Sequence, residues 1–235
     1  MTAIRLTLAR GEERIENYIL SRLETCNETS VKITRHKKFI FIDISAKNDI
    51  FAEVRDIISS VILVFYKYDY LKENITAIDE YKMEHYALMG ALLNFDEEQE
   101  KFIVEKGLEN RADYSINSIF EFRCSRLKES WKNIALLANR LLSQCDGEED
   151  IYDLVFFLIA IDSELSPRVR ISGELDRIIL FSNSTEIPLP ALSGDISADI
   201  LIAAIRERPS SIVISDCDII SKELLQAIKK LGNGF

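Results

Sequence analysis

The sequence is short of structure breakers and of histidine. All four prolines (Pro167, Pro188, Pro190 and Pro209) lie in the last third, and between Asn48 and Asp146 the only glycines are Gly90 and Gly107. Proline and glycine punctuate helices and strands, so the middle of the chain is predicted to form long helices. The two histidines, His36 and His85, cannot supply an HExxH metal helix. There is no GxSxG elbow to recruit either into a Ser-His-Asp triad, and both are read as solvated or hydrogen-bonded. The eight glycines form neither GxGxxG nor GxxxxGK[ST]. Gly232-Asn233-Gly234 follows a helix pattern instead of opening one, so it offers no helix N-terminus to a phosphate. A standard Rossmann or P-loop nucleotide enzyme is excluded, and no cofactor is expected.

Cys26, Cys124, Cys145 and Cys217 are too far apart for a zinc knuckle or a CxxC redox motif. Glu12, Glu13 and Glu16 interrupt what a signal peptide would leave uncharged. The cysteines are therefore expected to be buried thiols in a reducing, cytoplasmic setting. The longest apolar runs, 57–66 and 154–161, fall far short of the roughly 20 residues that span a bilayer, so no transmembrane segment is expected. The 235 residues carry a net charge of −10, with a pI near 4.9. A nucleic-acid binder usually shows a basic footprint, whereas this global field repels phosphate. Duplex DNA binding is not expected.

What is present reads as α/β (α+β), with small sheet elements at both ends and a long, predominantly helical middle. Residues 1–46 read strand, helix, strand, strand. Ile4-Arg5-Leu6-Thr7-Leu8 alternates like a half-buried strand, and Ile15, Tyr18, Ile19 and Leu23 recur at helical spacing. Two further strands, 31–34 and 39–44, flank the basic turn Arg35-His36-Lys37-Lys38. In the second, Phe39 and Phe41 face one way and Ile40, Ile42 and Ile44 the other, as in a central strand or one covered on both faces. Residues 47–163 read helical. One helix covers about 50–71, another about 77–93, and a third starts at Asp96, which with Gln99 resembles a capping box. The strongest is one helix over about 113–144, with an apolar seam of Ile116, Phe120, Cys124, Leu127, Trp131, Ile134, Ala138 and Leu141. Segment 151–161 reads as a buried helix. Residues 164–235 return to α/β: a hairpin over 168–181, a helix over 196–207, a strand over 211–215 and a last helix over 220–231. Whether the two end segments share one sheet is open at this level.

Candidate chemistry is sparse. The acids at 96–100 fit a helix N-terminus, where they complement the dipole. Those at 146–150 lack the glycine and twelve-residue spacing of an EF-hand. Asp162 and Glu164 follow the apolar segment, where they read equally as helix termination or as a catalytic pair. The most suggestive polar feature places Arg123, Arg126 and Lys128 among aromatics in Phe120-Glu121-Phe122-Arg123-Cys124-Ser125-Arg126-Leu127-Lys128. Arginine beside aromatics can bind phosphate or stack on bases, or simply pair with neighbouring acids. Arg123, Arg126, Asp153 and Asp162 are the candidate polar site, with Arg123 expected to make a carboxylate pair with Asp153 or Asp162.

Residues 116–128, INSIFEFRCSRLK, resemble the FxxFRLK helix segment of the YtxC-like sporulation proteins of endospore-forming bacteria. The order of segments C-terminal to it is also similar: an acidic break, an apolar segment, a hairpin, a helix, Pro209, the strand Ile212-Val213-Ile214 and a closing helix. Cys124 stands where the family has leucine, and Ser215 where its strand often ends in histidine. The resemblance implies a sporulation setting and assigns no catalytic residue. With no catalytic motif in the chain, the expected function is a non-enzymatic factor with protein partners. The alternative is an enzyme, or a nucleic-acid- or anion-binding factor, with a site at Arg123 and Arg126.

Overall fold

A computed structural model describes residues 2–26, 28–79, 82–160, 167–174, 177–215 and 220–232. The chain runs β1 (Thr2–Ala9), α1 (Glu13–Glu24), β2 (Thr29–Arg35) and β3 (Phe39–Ala46), the order its alternation predicts. Next come α2 (Phe51–Ser60), a π-helical segment Val61–Tyr66, α3 (Lys67–Asn74), α4 (Met83–Asn94) and α5 (Glu97–Gly107). Then come β4 (Asp113–Ser115), α6 (Ile116–Arg123), α7 (Ser125–Leu142) and α8 (Glu148–Ala160). The chain ends with β5 (Arg168–Glu174), β6 (Arg177–Ser182), β7 (Thr185–Ile187), α9 (Ile196–Arg206), β8 (Ser211–Ser215) and α10 (Lys222–Gly232). The fold is mixed α/β, and none of the described helices is long and apolar enough to cross a membrane.

Several expectations need correction. The single helix over 113–144 is three elements. Its first residues form β4, which pairs in parallel with Arg5, Leu6 and Thr7 of β1, a partner no local pattern announces. The helix then breaks at Cys124, whose N–H reaches the Ile119 carbonyl five residues back at 3.2 Å. That widened turn tucks the Cys124 side chain fully inside. The capping box at Asp96 does not form: Asp96 is left-handed (φ 59°) and its side chain makes no cap bond. The seam holds at Ile116, Leu127, Trp131, Ile134 and Ala138, whereas Phe120 and Leu141 are only half-buried. Helix α8 is not buried all round, because Phe157 is exposed. Cys26 and Cys145 are only partly buried, and Cys217 lies outside the described residues.

The described strands form two separate four-stranded sheets and share no single sheet. Nor do the compact units follow the three-part linear division: one comprises 1–67 with 96–131, the other 68–95 with 132–235.

In the first unit the strand order is β2-β3-β1-β4. Both β1 and β2 run antiparallel to β3. Strand alternation sends Ile4, Leu6, Leu8, Ile40, Ile42 and Ile44 to one face, where all are buried. Helix α1 adds Ile15, Ile19 and Leu23, and every residue of the π-helical segment is buried. Strand β3 is central, as expected, but it is not covered on both faces. Phe39 is exposed, and Phe41 and Asp43 are half-exposed, on the side opposite the core.

In the second unit the order is β7-β6-β5-β8, antiparallel except for the parallel β5–β8 pair. Helix α9 lies in the crossover to β8 and is buried from Ser197 to Ile205, as its apolar composition requires. Asp195 caps it, accepting from the N–H groups of Ser197 (2.7 Å) and Ala198 (3.2 Å). Helix α4 approaches α9 closely at Gly90, where a Cβ would stand 2.8 Å from the Ile202 carbonyl oxygen.

Candidate functional site

The Arg123 region forms a cleft of about 450 Å³ in the first unit. It is built where α5 ends. After Gly107 the chain turns through Leu108, which is buried, and rejoins the sheet at β4. Tyr114 pins this turn from below: its hydroxyl donates to the Glu109 carbonyl (2.7 Å) and accepts from the Arg111 N–H (3.0 Å). The Arg5 N–H donates to the Ala112 carbonyl at 2.8 Å. Helix α6 forms the other wall, held by buried Ile116 and Ile119. Its last turn presents Arg123 to the cleft.

The charges in the cleft are balanced. Arg111 places Nε (3.2 Å) and Nη2 (2.6 Å) on one oxygen of Glu109. That hydrogen bonding, then the charges of Arg111 and Arg123, holds the Glu109 carboxyl below its ordinary value. Arg123 donates Nη1 to the Gly107 carbonyl at 2.7 Å. It thus closes a helix C-terminus, where a cation complements the dipole. The expected carboxylate fork of Arg123 is replaced by this carbonyl bond. Asp113 is exposed on the rim, and Ser115 and Ser118 share a hydroxyl hydrogen bond of 2.8 Å. An incoming anion would compete with Glu109 for Arg111 and with a carbonyl for Arg123.

The other candidates fall elsewhere. Arg126 is exposed on α7. Asp153 is exposed on α8, an element of the second unit. Asp162 and Glu164 lie outside the described residues. Lys128 pairs with Glu121 at 2.7 Å and stands 4.8 Å over the Phe120 ring, so the third cation of the motif is structural. His36 is exposed, with its ring edge-on to Phe41. His85 is buried, and its Nδ1 accepts from the Asp79 N–H at 2.7 Å. Burial lowers its pKa, so the imidazole is a neutral acceptor. Burial pushes the Cys124 thiol up to about 11, far from the thiolate that nucleophilic chemistry needs. Among the described residues, no three His, Cys, Asp or Glu side chains come together to hold a metal ion.

Two features are not foreseen from the sequence. The first is a buried ion pair. Lys67 Nζ lies 2.7 Å from Glu100 Oε2, and both side chains are almost fully enclosed. The indole N–H of Trp131 donates to the other Glu100 oxygen at 2.9 Å. Lys67 directly follows the π-helical segment, whose widened turns shift the phase of the helix. A lone lysine behind a run of apolar residues is the one local signal of it. Burial opposes both charges, lowering the Lys67 pKa and raising that of Glu100, and their mutual attraction offsets part of it. Closed to solvent, the cluster is structural.

The second feature is an apolar slot in the second unit, lined by Leu88 and Leu92 of α4, Ile134 and Leu137 of α7, and Leu154 and Leu158 of α8. Leu137, in that lining, is 45% accessible, and Phe157 of α8 is 62% accessible. No family model, curated protein or solved structure matches this chain.

Proposed function

We propose that this protein is a non-enzymatic interaction factor of the bacterial cytoplasm, acting with protein partners in sporulation. One observation carries the interaction: the wholly apolar slot between α4, α7 and α8, in whose lining Leu137 is left exposed, with Phe157 exposed on α8. Large apolar side chains left together at a surface mark interaction sites. The slot is shallow, about 20 Å³, so a partner's apolar face would cover it as a patch and not fill it as a groove. The sporulation setting rests on the resemblance alone, carried by residues 116–128 and the similar order of the segments C-terminal to them.

The test is capture from sporulating cells by the wild-type chain and by a Leu137→Asp/Phe157→Asp variant. Both positions are exposed, so the melting temperature should stay unchanged while capture of specific partners is lost. Equal capture by a folded variant would overturn the reading.

A second reading is favoured by the Arg123 cleft, which combines two arginines with two carboxylates in a solvent-open recess. There the chain would bind an anionic ligand through Arg111 and Arg123. Arg123→Lys keeps the charge but loses the planar fork. Under this reading, saturation of the wild type by phosphate esters in calorimetry would be weakened in the variant. Absence of such heat in the wild type would leave the first reading alone.

A further inference from the structure

We propose that the open face of the first sheet binds single-stranded nucleic acid, with Phe39 and Phe41 as stacking platforms and the Lys37-Lys38 turn as the phosphate contact. The face is defined by register. Thr34, Phe41, Thr7 and Ser115 lie in one row across the four strands, and Lys32, Asp43, Arg5 and Asp113 in the next. All point away from the buried isoleucines and leucines. Such a face would ordinarily be polar throughout, yet its central strand carries two phenylalanines.

Phe39 is 46% accessible, and nothing in the hydrophobic core requires it. Its ring centroid lies 6.3 Å from that of Phe41, with the two ring planes tilted by 43°. Bases splayed out of a continuous stack can set their faces against rings so tilted. The His36 ring packs edge-on to Phe41 at 5.4 Å between centroids, and the Arg5 guanidinium lies over one face of the Phe41 ring at 5.3 Å, which leaves the exposed Phe39 ring as the main platform. Aromatic rings exposed on a sheet face are the recurring platform for unpaired bases.

Charge decides where the backbone would run. Arg5 is paired with Asp43 at 2.6 Å, and Lys32 and Asp113 complete a row without net charge. The opposite end, beside Phe39, carries Arg10, Lys37 and Lys38, all exposed. The Arg10 N–H donates to the Lys38 carbonyl at 3.0 Å, which brings these cations together. Glu12 and Glu13 follow Arg10 but lead into α1. A local cluster of this kind can hold phosphates despite a net charge of −10. A duplex gains nothing from the rings, since its base faces are stacked inside.

The test is fluorescence anisotropy of the full chain with labelled oligouridine and oligodeoxythymidine of about eight nucleotides, within one sheet's site size, and with a duplex of equal length. Saturable single-strand binding should exceed duplex binding at least tenfold. Phe39→Ala, at an exposed position, should weaken it between about 5-fold and 150-fold, the span of one stacked base. Lys37→Gln/Lys38→Gln should flatten the dependence on salt by about 0.7 in log–log slope for each phosphate no longer neutralised. The RNA and DNA arms tell which strand is preferred. Three results would each overturn the assignment: no single-strand binding at about 50 mM salt, binding that survives both variants, or a duplex bound as tightly.

Discussion

At the scale of single residues, the decisive feature is the Lys67–Glu100–Trp131 cluster. A buried pair stabilises little by itself, but removing one partner strands the other charge. Glu100→Gln keeps an acceptor for the Trp131 indole and leaves the Lys67 ammonium buried, so it should cost about 3–5 kcal/mol. Lys67→Met/Glu100→Gln removes both charges and should recover most of that loss. Urea unfolding checks both, and a double variant as unstable as the single one would show that the pair is not the source. Asp56 is the exposed counterpart. Burial raises its carboxyl, but hydrogen bonds and charge from Lys101 (3.0 Å) and Arg22 (2.9 Å) outweigh that and leave it below the ordinary 3.8. A depressed carboxylate contributes stability that is present above the unfolded value and lost as pH falls through the folded one. Asp56→Asn should therefore cost no more than about 1 kcal/mol at neutral pH, since a half-exposed side chain is screened. Its urea midpoint should converge on the wild type's below about pH 3.8. A gap that persists in acid would assign the loss to something other than charge.

Among the elements, α4 and α9 show how a single glycine sets a helix crossing. With a Cβ at Gly90 only 2.8 Å from the Ile202 carbonyl oxygen and 2.9 Å from the Ile205 Cβ, Gly90→Ala must push backbone against backbone. Its effect should be a loss of about 1–3 kcal/mol, despite alanine's better helix propensity. Gly147 has nothing within 4 Å of the same virtual atom and an ordinary φ, so Gly147→Ala should be neutral or slightly stabilising. Thermal melts of the pair separate packing from propensity; equal melting temperatures would refute the close approach. Helix α7 carries a further lesson. Its seam was legible from spacing, since Leu127, Trp131, Ile134 and Ala138 are all buried. The break at Cys124 was not, because it depends on one five-residue backbone bond that no side-chain pattern encodes.

For the whole molecule, neither compact unit is a continuous stretch of chain. Helix α4 belongs with the segment 132–235, where α9 packs on it. A fragment comprising 132–235 alone would expose the Ile202 and Ile205 face of α9 to water. It should lack a cooperative melt by circular dichroism and be degraded rapidly by protease, whereas the full chain resists. A cooperative transition in that fragment would show that α4 is dispensable.

Local pattern alone determined the class of this protein: two-residue alternation named most of the longer strands, and helical periodicity with missing breakers named the helical middle. It also singled out Arg123 by its run of cations and aromatics, but not the cleft that Glu109, Arg111 and Asp113 form with it. Tertiary structure decided the rest. The β1–β4 pairing joins residues over a hundred positions apart, the Lys67–Glu100 bond spans 33, and the separation into two sheets depends on which edges meet. The fate of Arg123 was settled by a backbone carbonyl, and every residue carries one. A sequence records which groups are apolar and how they are spaced. It does not record which distant backbone a charged side chain will meet, and here that meeting decides which charges are structural and which face is left open.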